Sequence, residues 1–305
     1  MKKKIFMVLS AVVVLAMGVL VVACSKDSNA LNPNEVISVE EVAPAPTLQQ
    51  SNSAAEWAAF NLEVEKLNEK YKSTFSTAMR APGDTIVSRE IKDIVFADAA
   101  GLAGGVLGGL EFLTNLLTVT GGTSYSPHVV ITTVAVCGVV SGALASWAAA
   151  CEHSVNTGTE VSINPLSSIS DITGNSMAIG MARQHNIFVS SLKADNFNTT
   201  GLTQSQLLTE LVERYEDLFG AIDNTVKRQI LRYYSLNLPE LDNRIVVAHT
   251  SFRLSTEHLN KAQLKNYTEE YIQIAERTLS NDEEKLQVAC YAATTYYSGA
   301  LWTIN

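Results

Sequence analysis

The chain lacks the short signatures that usually announce chemistry. It has no HExxH pair, no GxSxG elbow, no Walker loop and no paired CxxC, so a helix-borne zinc site, a serine nucleophile, a phosphate cradle and a zinc ribbon have no sequence support. Positive charge is also scarce. Lysine and arginine number 22 against 31 aspartates and glutamates; setting aside Lys2, Lys3 and Lys4 at the extreme N-terminus leaves a net charge of about −12. So acidic a surface repels phosphate backbones, which excludes nucleic acid as an expected partner and argues against charge-driven adhesion to anionic lipid. Cysteine is nearly absent. Beyond Cys24 only Cys137, Cys151 and Cys290 occur, an odd number that leaves at least one thiol unpaired in an exported protein. Cys137 and Cys151 cannot pair on one helix, because fourteen residues rise roughly 21 Å and a disulfide needs Cα atoms within about 7 Å. Buried, inert thiols are therefore expected, with Cys151 to Cys290 the one disulfide worth testing.

What the sequence does have begins at its start. Three lysines precede an apolar run from Ile5 to Ala23, and Val21-Val22-Ala23-Cys24 closes it. A basic region, an apolar region and a small residue before the cut describe an export signal, and the quartet resembles a bacterial lipobox, in which the cysteine carries lipid. The expectation is a signal peptide over 1–23 and a lipid anchor on Cys24; the other reading is a plain N-terminal transmembrane helix, for which the run is about long enough. Residues 24–52, with Pro33, Pro44 and Pro46 and no hydrophobic period, read as the lipidated cysteine and a flexible tether. A single helical domain is expected over 53–305.

That domain reads as all-α. Ser53 with Glu56 has capping-box spacing, and Trp57, Phe60, Val64, Leu67, Tyr71 and Phe75 follow at intervals of three and four, with Pro82 and Gly83 ending the helix. Thr203 and Gln206 repeat the box ahead of Leu207, Leu211, Tyr215 and Phe219; further helices are expected near 223–235, 258–278 and from Asn281 onward. Strand signals are few: Ile245-Val246-Val247 is short, and 156–176 is rich in Ser, Thr, Gly and Asn without alternation.

Residues 95–151 are unlike the rest. On a helix, Gly101, Gly104, Gly105, Gly108 and Gly109 fall within an arc of about 140°. Five glycines cost a helix about 4 to 5 kcal/mol relative to alanine, which only close packing offsets. After a turn at Gly121-Gly122, residues 129–151 run without a charge and place Ala135, Gly138, Gly142, Ala145 and Ala149 on a second small-residue face. The two segments read as a helical hairpin with glycine and alanine at its seam. Asp98, Glu111 and Asn115 interrupt the first helix and shorten its uncharged stretch below a membrane span. A soluble, buried hairpin is expected, with insertion into a bilayer as the alternative.

No cofactor or metal is expected. Cys151-Glu152-His153 are neighbours that diverge on a helix, and His128, His249 and His258 are scattered singly, in solvated or capping roles. The tyrosines Tyr233, Tyr234, Tyr267, Tyr271, Tyr291, Tyr296 and Tyr297 read as core periphery with hydroxyls turned to water. Three stretches together, "FADAAGLAGGVLGG" (96–109), the "HN" of "ARQHNIFVSSL" (182–192) and "ATTYYSGALW" (293–302), resemble an uncharacterised group of tethered lipoproteins from Bacteroidota with a glycine-rich helix and an HN motif. The resemblance implies an exported, helical, lipid-anchored protein with no assigned activity. It nominates His185 and Asn186 as the one polar pair for a site, either a general base with a positioning amide or a buried cross-link between helices, the second being favoured. The functional expectation is a non-enzymatic envelope protein, anchored in the outer membrane through lipid on Cys24 and facing either the periplasm or the exterior, that binds an unidentified protein or envelope partner. The alternative is a toxin- or bacteriocin-like protein that inserts the 95–151 hairpin into a bilayer.

Overall fold

Most helices here start where a side chain takes up the free N–H groups of a first turn. A computed structural model of the chain describes residues 50–75, 91–119, 127–157, 161–198, 201–234, 242–257 and 259–304. Among them nine α-helices and two three-residue strands follow one another: α1 (Gln50–Phe75), α2 (Lys92–Val119), α3 (Pro127–Thr157), β1 (Val161–Ile163), α4 (Ser176–Ala194), α5 (Gln204–Phe219), α6 (Asn224–Tyr234), α7 (Asn243–Thr256), α8 (Lys261–Thr278), α9 (Asp282–Leu301) and β2 (Trp302–Ile304). The fold is all-α, as expected. Thr203 and Gln206 form a reciprocal capping box at α5, and Asn260 and Gln263 another at α8. Asn281 accepts from the backbone N–H groups of Glu283 and Glu284 at the start of α9, where three acidic residues also complement the helix dipole.

Three local expectations need correction. α1 begins before Ser53, so Ser53 and Glu56 do not cap it. They tie helices together instead: the Arg244 guanidinium donates to the Ser53 hydroxyl, and Glu56 accepts from the Ser280 N–H and hydroxyl at 3.1 and 2.9 Å. Ile245-Val246-Val247 lies inside α7, because Asp242 caps that helix from Arg244 N at 2.7 Å and Ile245, Ala248, His249, Phe252 and Thr256 bury at helical spacing, which overrides β-branched preference. The polar stretch 156–176 contains β1, which pairs antiparallel with β2 in the register Val161 to Ile304 and Ile163 to Trp302. Its partner lies at the other end of the chain, so no local pattern announces it. The expected tether is shortened at its end, because α1 already begins at Gln50; the signal, Cys24, the rest of the tether, Pro82-Gly83 and the Gly121-Gly122 turn lie outside the described residues.

The most extensive helix–helix contact is between α2 and α3, and α9 is the axis around which the rest assemble, touching α2, α4, α7 and α8. Every residue of α9 from Leu286 to Leu301 is buried. The middle of α3, residues 133–140, is likewise buried on all sides, which explains why its composition shows no polar face. α4, α5 and α6 close over α3, while α8 sits between α9 and α1.

Gly101, Gly105 and Gly109 of α2 make close approaches to α3. A Cβ on Gly101 would stand 2.7 Å from Ala145 Cβ and 2.8 Å from the Ser141 carbonyl oxygen; one on Gly105 would collide with the Cys137 carbonyl; one on Gly109 would stand 3.0 Å from Val134 Cα. These are backbone-to-backbone approaches that only glycine permits. In return, Gly138 of α3 receives Val106. Gly104 departs from the expected seam, for nothing lies within 4 Å of where its Cβ would be; the 100° step that aligns Gly101 with Gly105 turns Gly104 outward. Gly108 is buried. No disulfide joins the described cysteines; Cys137 and Cys290 are buried, and Cys151, contrary to expectation, is exposed.

Candidate functional site

Asp98 is a charged residue type placed where a helix has no access to water. It sits in the first half of α2, fully buried among Val95, Ala99 and Leu102. The end of α9 reaches it: the Ser298 hydroxyl and the Trp302 indole Nε1–H both donate to Oδ2, the latter at 2.7 Å. Ser298 and Trp302 are four apart, so one turn of helix aims both at a single oxygen. The other oxygen, Oδ1, has no hydrogen-bond partner among the described residues. Burial pushes the carboxyl well above the usual carboxylate range, and the two donated hydrogen bonds pull it back only in part, so the site favours the neutral acid.

Beside it, α4 supplies His185 and Asn186, both buried. Asn186 Nδ2 donates to the Tyr297 carbonyl at 2.9 Å, which ties α4 to α9. His185 Nδ1 lies 3.4 Å from Asn186 Oδ1; the Gly142 backbone of α3 also interacts with the ring, and among the described residues its Nε2 makes no hydrogen bond of normal geometry. Its ring fits only because residue 142 is glycine: a Cβ there would stand 2.8 Å from His185 Cδ2 and 3.3 Å from the Asp98 carbonyl oxygen. Burial pushes the imidazole down to about 4, so it is neutral at pH 7.

α2, α3, α4 and α9 thus meet at one buried polar junction. The chemistry available there is that of a clamp. His185, Asn186, Asp98 and Ser298 are each at most 2% exposed, and an imidazole held near 4 is a poor base at neutral pH. Asn186 ties α4 to α9 by a hydrogen bond, and His185 packs against Gly142 of α3.

A second buried histidine contradicts its expected solvated role. His249 of α7 stacks on Tyr291 of α9, ring centroids 3.9 Å apart and planes 9° from parallel, and burial pushes it to about 3. The Gln287 backbone interacts with the ring and offsets burial only in part; among the described residues, the His249 Nε2 and the Gln287 Oε1 across the same interface make no hydrogen bond of normal geometry. The tyrosines are also deeper than expected: Tyr271 donates to the Ala248 carbonyl at 3.0 Å, Tyr296 to the Ser170 carbonyl at 2.9 Å and Tyr267 to Asn68 at 2.6 Å. The side chains of Tyr233, Tyr234, His128, His153 and His258 lie outside the described residues. No group of three or more His, Cys, Asp or Glu side chains able to hold a metal ion occurs among the described residues.

Sequence reasoning missed Asp98 as a centre, together with Ser298, Trp302, His249 and Gln287. The available signal was a lone acid in an apolar helix, which reads equally as an interruption. Comparison of the chain with protein-family models, curated proteins and solved structures finds no match.

Proposed function

We propose that this chain is a lipid-anchored protein of the bacterial outer membrane whose helical domain acts as a non-enzymatic binding module. The observation that favours a globular module over an inserting hairpin is that more than half of the hairpin is buried, 56% and 61% of its two apolar windows. Its two apolar helices are long enough to cross a membrane, with mean hydropathies of 1.4 and 2.1 over their apolar windows. Yet the middle of α3 is buried on every side, and α2 is fastened through Asp98 to the far end of the chain. Core helices of soluble domains have this composition when other helices surround them. The anchor rests on the lipobox-like sequence ending at Cys24.

The surface offered to a partner includes a groove of about 400 Å³ between α1 and α8, lined among others by Lys70, Tyr71, Asn266, Glu270 and Gln273. Lys70 and Tyr71 both bond Glu270, at 2.6 and 3.0 Å, and Glu269, which also lines the groove, lies 3.7 Å from Lys265, so each acid there has a cation beside it and the groove suits an uncharged polar partner better than an ion.

Two measurements test the reading. Metabolic labelling with an alkyne fatty acid should mark the wild-type chain and leave Cys24→Ala unmarked; equal labelling, or none, removes the anchor. Residues 53–305 expressed alone should sediment as a compact species without detergent and leave dye-loaded vesicles intact. Leakage at neutral pH that Gly105→Leu abolishes would favour the inserting hairpin instead.

A further inference from the structure

The clamp explains how α4 and α9 hold the hairpin, and it leaves unexplained why two helix joints, α4 on α3 and α7 on α9, are closed by histidine. We infer that the domain carries an acid-opened joint: His185 holds α4 against α3 and His249 holds α7 against α9 only while uncharged, and acidification detaches α4 and α7 from the α2–α3–α9 core. This inference is independent of the envelope reading and rests on where the two rings sit.

At the first joint the His185 ring is confined by Gly142 on one side and by its own neighbour Asn186. The groups that face it are few. From α2 comes Asp98, occupied on one oxygen by Ser298 and Trp302. From α9 come Ser298 and Tyr297, whose phenol is turned away to Asp171 at 3.2 Å. From α5 comes Tyr215, bonded to Gln184 at 3.2 Å and set against Cys137 of α3. On α4 itself Arg183 points outward to Asp171 at 3.2 Å. A second proton on His185 therefore meets no ionised acid unless Asp98 surrenders its own.

At the second joint the His249 ring lies flat on Tyr291, with Gln287 beside it. The charged neighbour one turn along α7 is Arg253, a like charge whose guanidinium covers Phe96 and lies 3.7 Å from Asp93 of α2. Glu284, nearer the start of α9, is engaged by Arg244 at 3.2 Å and by the Trp57 indole at 3.0 Å. From α8, Tyr271 spends its hydroxyl on the Ala248 carbonyl. A protonated His249 would be a buried cation with a second cation for company, which a folded interior tolerates poorly.

The sign of the pH dependence follows. In an unfolded chain both imidazoles titrate near 6.5, whereas burial holds the folded ones at about 4 and about 3. As pH falls below about 6.5 the unfolded state takes up protons that the folded state refuses, so each histidine shifts the equilibrium toward unfolding by about tenfold per pH unit. Asp98 works the other way. Its folded carboxyl keeps a proton over part of the interval in which the unfolded one is ionised, so acid favours the fold there by up to about tenfold per pH unit. The three residues thus carry opposite, separable signatures.

The experiment is urea unfolding of the full-length chain in non-ionic detergent at pH 7, 6 and 5, with hydrogen exchange read on α4, α7 and the hairpin. His249→Phe keeps a flat ring against Tyr291 and cannot be protonated; it should flatten the loss of stability on acidification by about tenfold per pH unit. His185→Gln should do the same. Asp98→Asn keeps an oxygen for Ser298 and Trp302 and should steepen the loss. Amides of α4 and α7 should exchange faster at pH 5 than at pH 7, ahead of those of α2 and α3. A wild-type pH slope retained in His249→Phe, or exchange that quickens in the hairpin first, would overturn the inference; should His185→Gln fail to fold, His249→Phe decides alone.

Discussion

The α2–α3 hairpin and the layer built by α1, α7 and α8 fill space by opposite means. In the hairpin, side chains are removed: Gly101, Gly105 and Gly109 let α3 come to backbone contact, and shape is fixed by main chain, which cannot change rotamer. In the other layer, side chains are enlarged. Phe252 meets Tyr271 at 4.7 Å and Tyr267 at 5.6 Å, Phe60 meets Tyr271 at 5.4 Å, and Trp57 meets Phe60 at 5.3 Å, all edge to face. Each ring covers much area, and each phenol carries a polar tip to a fixed acceptor. The two regions should answer substitution differently: the aromatic layer fears loss of volume, the seam fears gain.

The largest effect expected from this contrast is in the aromatic layer. Phe252→Ala removes the ring on which Tyr267, Tyr271 and Tyr291 converge, and cavities of that kind cost about 3 to 5 kcal/mol. Urea unfolding at neutral pH measures it directly. A loss below about 1 kcal/mol would mean that the layer collapses into the gap and is less rigid than its edge-to-face geometry implies.

Next comes the seam. Gly105→Ala adds one methyl group, which improves helix propensity by about 1 kcal/mol, yet the new Cβ would occupy the place of the Cys137 carbonyl oxygen and approach Ser141 Cβ at 2.7 Å. Neither neighbour is the free end of a flexible chain. Overpacking of this sort costs about 1 to 3 kcal/mol, so the net effect is destabilising, and hydrogen exchange should rise along both hairpin helices. An unchanged or raised stability would show that α2 and α3 can slide apart without loss, and the distinction between the two regions would fail.

The parts of this fold that local pattern encodes are the parts the sequence made legible. Thr203-Gln206 and Asn281 announce their helices because a cap is a short-range device, and the glycines of 101–109 announce a close approach because nothing else offsets their cost. What stayed hidden depends on residues far apart in the chain. Asp98 looks like an obstacle in an apolar helix until Ser298 and Trp302 arrive from the opposite end. His249 looks like one more scattered histidine until Tyr291 lies across it. The Ser53-Glu56 pair shows the converse: spacing that fits a cap was used for contacts with Arg244 and Ser280. His185 and Asn186 were visible as a pair but not as a joint, because Gly142, which makes the room, reads on its own as one more seam glycine.

The smallest expected effect discriminates most finely, because it concerns two neighbouring glycines of one helix. Gly104 shares its sequence context with Gly105 and differs in direction by a single residue step, pointing to open space where Gly105 points into α3. Gly104→Ala therefore gains helix propensity without a collision and should stabilise the protein by about 0.5 to 1 kcal/mol, seen as a higher urea midpoint with an unchanged slope. A destabilisation as large as that of Gly105→Ala would mean that the outer side of α2 is in contact with something in solution, and the glycine at 104 would then belong to a second seam rather than to the hairpin's own.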